Sequence, residues 1–199
     1  MQHRLLLLLG SLLFCCSLQA QEMATVNNFS LRGADGKMFS TSDFPNVKGF
    51  IVVFTCNHCP FAKLYSGRYN RLNKKYAPLG VPLIAINSMD TIEYEEESLE
   101  LMQKKAKSAS FSFPYLQDGT QSVGKQFGAE HTPQAFVIWR SEDVWQIKYK
   151  GSVDDNGEHP ESAVPFVANA VDELLSNKAV TNPSTPSFGC RIYYRAEEK

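Results

Sequence analysis

The sequence carries no surplus of either charge: 20 Lys and Arg stand against 21 Asp and Glu in 199 residues, a formal net charge of −1. That excludes a bulk field able to hold a nucleic-acid backbone or an anionic membrane surface. Internal repeats and low-complexity stretches are absent, and the 12 Gly and 10 Pro fall without period, so collagen-like, coiled-coil and mucin-like classes are excluded. Cysteine is scarce. Of five, Cys15 and Cys16 lie in the first twenty residues, leaving Cys56, Cys59 and Cys190, an odd number that does not make a disulfide scaffold. With 43% hydrophobic and 12% aromatic residues, the chain can bury the core of one ordinary domain.

Long apolar runs are also missing after residue 20. The one at the start has His3 and Arg4, then Leu5 to Leu9, Leu12 to Cys16, and Ser17-Leu18-Gln19-Ala20 before polar Gln21-Glu22. A charged start, about a dozen apolar residues and a small residue at the cut predict a secretory signal peptide over 1–20. It is shorter than the roughly 20 apolar residues of an uncleaved span. The sequence thus predicts an exported protein, periplasmic or extracellular, with no stable membrane insertion after cleavage. Its domain would cover 21–178, with a tail over 179–199.

Along the domain, apolar runs alternate with helical spacing. Thr25 to Leu31 alternates in period two, Asp35-Gly36-Lys37 is a turn and Met38-Phe39 returns, which reads as an N-terminal hairpin. Gly49 to Phe54 is apolar throughout, as a strand buried on both faces should be. From Pro60, the residues Phe61, Leu64, Tyr65, Arg68, Leu72 and Tyr76 share one helical face. Val81 to Asn87 is the next strand. A helix capped by Asp90 or Thr91 carries Glu93 to Glu100 first and Lys104 to Lys107 last, which suits its dipole and reads as a solvated face. Phe111–Leu116 follows as a strand and Thr120–Phe127 as a helix closed by Gly128. Ala135–Trp139 and Val144–Tyr149 form a hairpin, and Ser162 caps a last helix. These elements predict an α/β sandwich around a parallel βαβ core.

The chemistry centres on Cys56-Asn57-His58-Cys59-Pro60, at the carboxyl end of the central strand and the start of a helix. Unpaired N–H groups and the positive end of the helix dipole favour a thiolate there. Two residues between the sulfurs allow a small disulfide ring. Cys56, expected exposed at the helix start, is the candidate nucleophile, and Cys59, one turn in, the resolving thiol.

Phe54-Thr55-Cys56-Asn57-His58-Cys59-Pro60 after a hydrophobic strand, Thr132-Pro133 before Phe136-Val137-Ile138, and Phe29-Ser30-Leu31 with Asp35-Gly36-Lys37 resemble the thioredoxin-like superfamily. Within it, residues 24 to 176 look most like the redoxin branch, which groups exported thioredoxin-like proteins with alkyl hydroperoxide reductase and thiol-specific antioxidant proteins. The resemblance implies a three-layer sandwich around a mixed sheet and a thiol–disulfide oxidoreductase exchanging with protein or small thiols. It implies that Pro133 is cis beside the cysteines and that Thr132 offers a backbone edge to the substrate, with no organic cofactor.

The chain departs from thioredoxin proper in Thr55 and Asn57-His58 around the motif and in lacking an acid on the strand before it. His58 precedes the second cysteine as in disulfide oxidases and isomerases, where it can donate to the first thiolate. No Pro-x-x-x-Thr precedes Cys56, which ranks a peroxiredoxin-like thiol peroxidase second. A third, non-enzymatic reading has Cys56, Cys59, His58 or His131 and a carboxylate holding copper or zinc, but without a second close ligand pair no metal site is assigned. Cys190 lies in an apolar tail segment expected to fold back on the domain. There it is a candidate third redox thiol or a packed free cysteine. The oligomeric state is not legible.

Overall fold

The structure, a computed structural model, describes residues 24–196; the predicted leader lies outside the described residues. Strands β1 (Thr25–Val26), β2 (Ser30–Gly33), β3 (Met38–Ser40), β4 (Gly49–Phe54), β5 (Leu83–Asn87), β6 (Tyr115–Gln117), β8 (Gln134–Ser141) and β9 (Val144–Gly151) form one sheet, in the order β1-β9-β8-β4-β5-β6-β2-β3. The β4–β5 and β5–β6 pairs are parallel, while β8 runs antiparallel to both β4 and β9. Outside it, β7 (His131–Thr132) pairs with β10 (Cys190–Arg191). Helices are α1 (Pro60–Leu64), α2 (Ser66–Tyr76), α3 (Leu99–Ser108), α4 (Ser122–Phe127) and α5 (Phe166–Leu175).

The unbroken apolar run of β4 is explained by its central place. Phe50, Val52 and Phe54 join Ile84, Ile86, Phe136 and Ile138 on one face. Ile51 and Val53 join Leu83, Ala85, Ala135 and Val137 on the other. Tyr69 and Tyr76 of α2, Met102 of α3 and Val167 and Val171 of α5 cover the second face, while Val123 and Phe127 of α4 and Ile192 of the tail cover the first. This is the mixed-sheet, three-layer architecture expected. Among the described residues no helix is long and apolar enough to cross a membrane.

Several boundaries differ from the sequence reading, and the strand read over Phe111–Leu116 spans only Tyr115–Gln117. The first strand ends at Val26, because Asn28 accepts from the Thr41 hydroxyl and the Trp145 indole instead of extending a ladder. The helix after Pro60 breaks at Tyr65, and Phe61 and Leu64 are exposed where a core face was expected. The last helix starts at Phe166, since Pro165 steers Val164 away from helical backbone. The acidic segment is an irregular turn with a short 3-10 stretch at Glu95–Glu97, and α3 begins only at Leu99. Asp90 holds the Ile92 N–H at 2.9 Å there. Between α2 and the loop after β9 lies a buried ion pair: Arg68 donates to both Asp154 oxygens at 2.8 and 2.9 Å, and the Tyr65 hydroxyl donates to Asp154 at 3.1 Å.

Candidate active site

Because α1 begins at Pro60, Cys59 is its N-cap and Cys56 sits three residues earlier, in the loop that leaves β4. The expectation that Cys56 would be exposed at the helix start is therefore corrected: Cys56 and Cys59 are both 0% exposed. Thr132 of β7 bridges them. Its hydroxyl lies 3.1 Å from Cys56 Sγ, and its carbonyl oxygen accepts from Cys59 Sγ at 3.1 Å. The Thr132–Pro133 peptide is cis. Both cysteines are free thiols here.

The two thiols titrate as a pair and share one proton once the other is lost. The hydrogen bond from Cys56 pulls the Cys59 thiol down to about 4, helped by Cys190 and the Ala62 N–H and opposed by burial. The same bond, burial and the Glu97 carboxylate push the Cys56 thiol far up, against the Thr132 hydroxyl and Cys59 N–H that would stabilise a charge there. The charge thus forms more readily on Cys59, which then no longer donates to the Thr132 carbonyl. Moving the shared proton across the sulfur–sulfur contact presents it on Cys56.

Glu97 is the residue that sequence reasoning missed. The glutamate run reads as a solvated face, yet Glu97 is 0% exposed. Its oxygens accept from the Asn57 N–H at 2.8 Å, the His58 N–H at 3.0 Å and the Asn87 side chain at 2.6 Å. The ring Nδ1 of His58 lies 2.6 Å away. Donors on all sides are what make a buried carboxylate tolerable. No sequence signal separates Glu97 from Glu95 and Glu96. His58 accordingly binds Glu97, not Cys56 as expected, and its ring stacks on Tyr94 at 4.8 Å. Lys105 Nζ donates to the Cys56 carbonyl at 2.6 Å. A groove of about 730 Å³ opens beside this loop, lined by Asn57, His58, Lys63 and Lys105.

Cys56, His58 and Glu97 each bring a possible ligand atom within 4.8 Å of the others, a set close to that of the metal-binding reading. The Glu97 oxygens and His58 Nδ1 are already committed to hydrogen bonds. His131, expected to face the motif, turns its Nδ1 to Ser187 at 3.3 Å. Cys190 is half-buried opposite Thr132, and burial together with the neighbouring Cys59 thiol pushes its own thiol up to about 11.

The AhpC/TSA family profile matches residues 23–147. No protein of curated function matches. An uncharacterized conserved protein from Geobacillus kaustophilus is similar at 34% identity over 88% of this chain and 93% of its own, with a TM-score of 0.78. A hypothetical protein from Sinorhizobium meliloti 1021 gives 33% identity over 88% and 95%, with a TM-score of 0.79. At the level of fold, a thiol-disulfide oxidoreductase from Bacteroides fragilis aligns at 17% identity over 63% of this chain and 88% of its own, with a TM-score of 0.52.

Proposed function

Since the chain belongs to the AhpC/TSA family, in the redoxin branch of the thioredoxin-like superfamily, we propose that it is a thiol–disulfide oxidoreductase working through Cys56 and Cys59. The observation that carries this is the pair itself. Two free, adjacent cysteines share Thr132 beside a cis proline, with one thiol held well below its ordinary value.

The shared proton passes from Cys56 to Cys59, and the Cys56 thiolate attacks a sulfur of a protein or small-molecule disulfide. A mixed disulfide forms and one substrate thiolate leaves. Cys59 loses its proton and attacks Cys56 Sγ, releasing the second substrate thiol and closing Cys56–Cys59. Thr132 Oγ–H and the Cys59 N–H stabilise the charge on Cys56, and the substrate takes the Thr132–Pro133 edge by displacing β10, which pairs there. Glu97 positions the Asn57-His58 loop. The apolar segment over residues 1–20 supports export to the periplasm or outside the cell.

The test is reduction of insulin disulfides with a thiol reductant. Cys56→Ser and Cys59→Ser should each lower the rate on the order of 100-fold or more, and wild-type turnover in either variant would overturn the assignment. The family match also favours a second reading, thiol peroxidase. Lacking Pro-x-x-x-Thr before Cys56, the protein should turn over disulfides faster than hydrogen peroxide, and the opposite order would reverse the ranking.

A further inference from the structure

We propose that Cys190 is a third redox thiol, one that exchanges with Cys59 so that the disulfide passes between the buried pair and the chain's own C-terminal strand. The inference rests on the reading of Cys56 and Cys59 as a redox pair and extends it to a residue outside the motif.

Strand β10 lies antiparallel to β7 with Cys190 directly opposite Thr132. Directly opposed residues project from the same face with their Cβ atoms about 5 Å apart, and Thr132 is the residue that touches both motif sulfurs. Cys190 thus occupies the edge where a substrate cysteine would lie, and the Thr132 hydroxyl that meets Cys56 Sγ also reaches the Cys190 carbonyl at 3.5 Å; the Cys59 and Cys190 thiols shift one another's ionisation. The approach is built into the tail. A Cβ on Gly189, whose φ is +142°, would fall 2.2 Å from the Thr132 oxygen and 3.2 Å from Pro133 Cδ, so only glycine lets the strand come this close. On one side the tail is held by Ser152 Oγ donating to the Pro186 carbonyl at 2.7 Å; on the other, the Ile192 N–H donates to Glu130 at 2.8 Å and the Tyr194 hydroxyl to Ala129 at 2.6 Å. Of the three sulfur-bearing residues, Cys190 alone reaches solvent. A cysteine kept only as a small hydrophobe needs no thiol beside it.

The step balances without an outside reagent. The Cys190 thiolate attacks Cys59 Sγ of the closed pair, the Cys59–Cys190 bond forms, the Cys56–Cys59 bond breaks, and the electron pair leaves on Cys56. The proton given up by Cys190 is regained at Cys56. The chain keeps its oxidising equivalent at the surface while the nucleophile is freed for a second substrate.

The test is peptide mapping under non-reducing conditions after equilibration in glutathione buffers, acid quenching and alkylation. Wild type should yield a Cys59–Cys190 peptide beside Cys56–Cys59. In Cys56→Ser oxidised with glutathione disulfide, the free Cys59 and Cys190 thiols should be lost together into one linkage. Gly189→Ala, which keeps all three cysteines, should lower the Cys59–Cys190 yield at least about tenfold by pushing the strand off Thr132. Full alkylation of Cys190 across every glutathione buffer, and again in oxidised Cys56→Ser, would overturn the relay and leave the pair intact. An undiminished linkage in Gly189→Ala would overturn its structural basis. Failure of Cys56–Cys59 to close in any buffer would overturn the underlying reading as well.

Discussion

Replacing Glu97 by glutamine tests whether the buried carboxylate sets the redox poise of the pair. A Glu97 oxygen lies within 4.8 Å of Cys56 Sγ, and its charge raises both the Cys56 and the Cys190 thiols. At an effective dielectric of about 20, a unit charge at that distance contributes about 3.5 kcal/mol against a thiolate. Lys105, donating to the Cys56 carbonyl, opposes part of this, so the net change in Glu97→Gln should be about 1–2 pKa units. Removing the negative charge favours the thiolate that the pair shares, most directly its form on Cys56, and that thiolate exists only in the reduced protein. The reduction potential should therefore rise, by about 30–60 mV at roughly 30 mV per 1.4 kcal/mol. The same substitution turns an amide NH₂ toward the Asn57 N–H or the Asn87 amide, destabilising the fold by about 1–3 kcal/mol. Urea unfolding would confirm that the variant is folded, and equilibration with glutathione would give its potential. A folded Glu97→Gln protein with an unchanged or lower potential would refute the electrostatic reasoning.

Two other expectations follow from the same contacts. The Cys59 thiol is held at about 4 in the folded dithiol against 9.0 ordinarily; a depressed acid stabilises the fold fully above its unfolded value and loses that contribution as pH falls toward the folded one. The stability of reduced wild type minus that of Cys59→Ser should accordingly grow from pH 5 to 8 by up to about 1.4 kcal/mol per unit, and a flat difference in urea titrations would count against a Cys59-centred charge. Arg68→Ala strands the buried Asp154 carboxylate between α2 and the loop after β9, and should destabilise the protein by about 3–5 kcal/mol; a loss below 1 kcal/mol in thermal unfolding would show that water or Tyr65 takes over.

Much of the fold was legible because its signals are local. The unbroken apolar run of β4 could only be a strand covered on both faces, the two runs after Pro133 pair as a hairpin that turns at Glu142-Asp143, and Gly128, at φ 60°, ends α4 as expected. The failures share a cause in distant partners. Asn28 leaves its strand for Thr41 and Trp145, and the acidic segment forsakes helix because its turn is held by the motif loop and by Asp90. Cys56, Cys59, Thr132 and Pro133 could be named in advance, since two short motifs mark them. That Cys190 pairs opposite Thr132 could not, because pairing between β7 and β10 spans almost sixty residues without a periodic signal.

Glu97 shows most clearly why sequence alone misplaced the acid. No carboxylate stands on the strand before the motif, and the structure shows why one would be hard to accommodate: Phe50 to Phe54 of β4 divide between two packed apolar faces. A charge there would have to be satisfied inside a hydrophobic layer. At the carboxyl end of the sheet the conditions reverse. The chain leaves β4 through Asn57 and His58, whose backbone N–H groups no ladder uses, and Asn87 closes β5 beside them. Three donors without strand partners define a carboxylate site before any carboxylate fills it. The turn between β5 and α3 is the segment that reaches it, so the acid arrives on a loop and acts on the sulfurs by its charge, while its lone pairs are spent on holding the Asn57-His58 backbone in place.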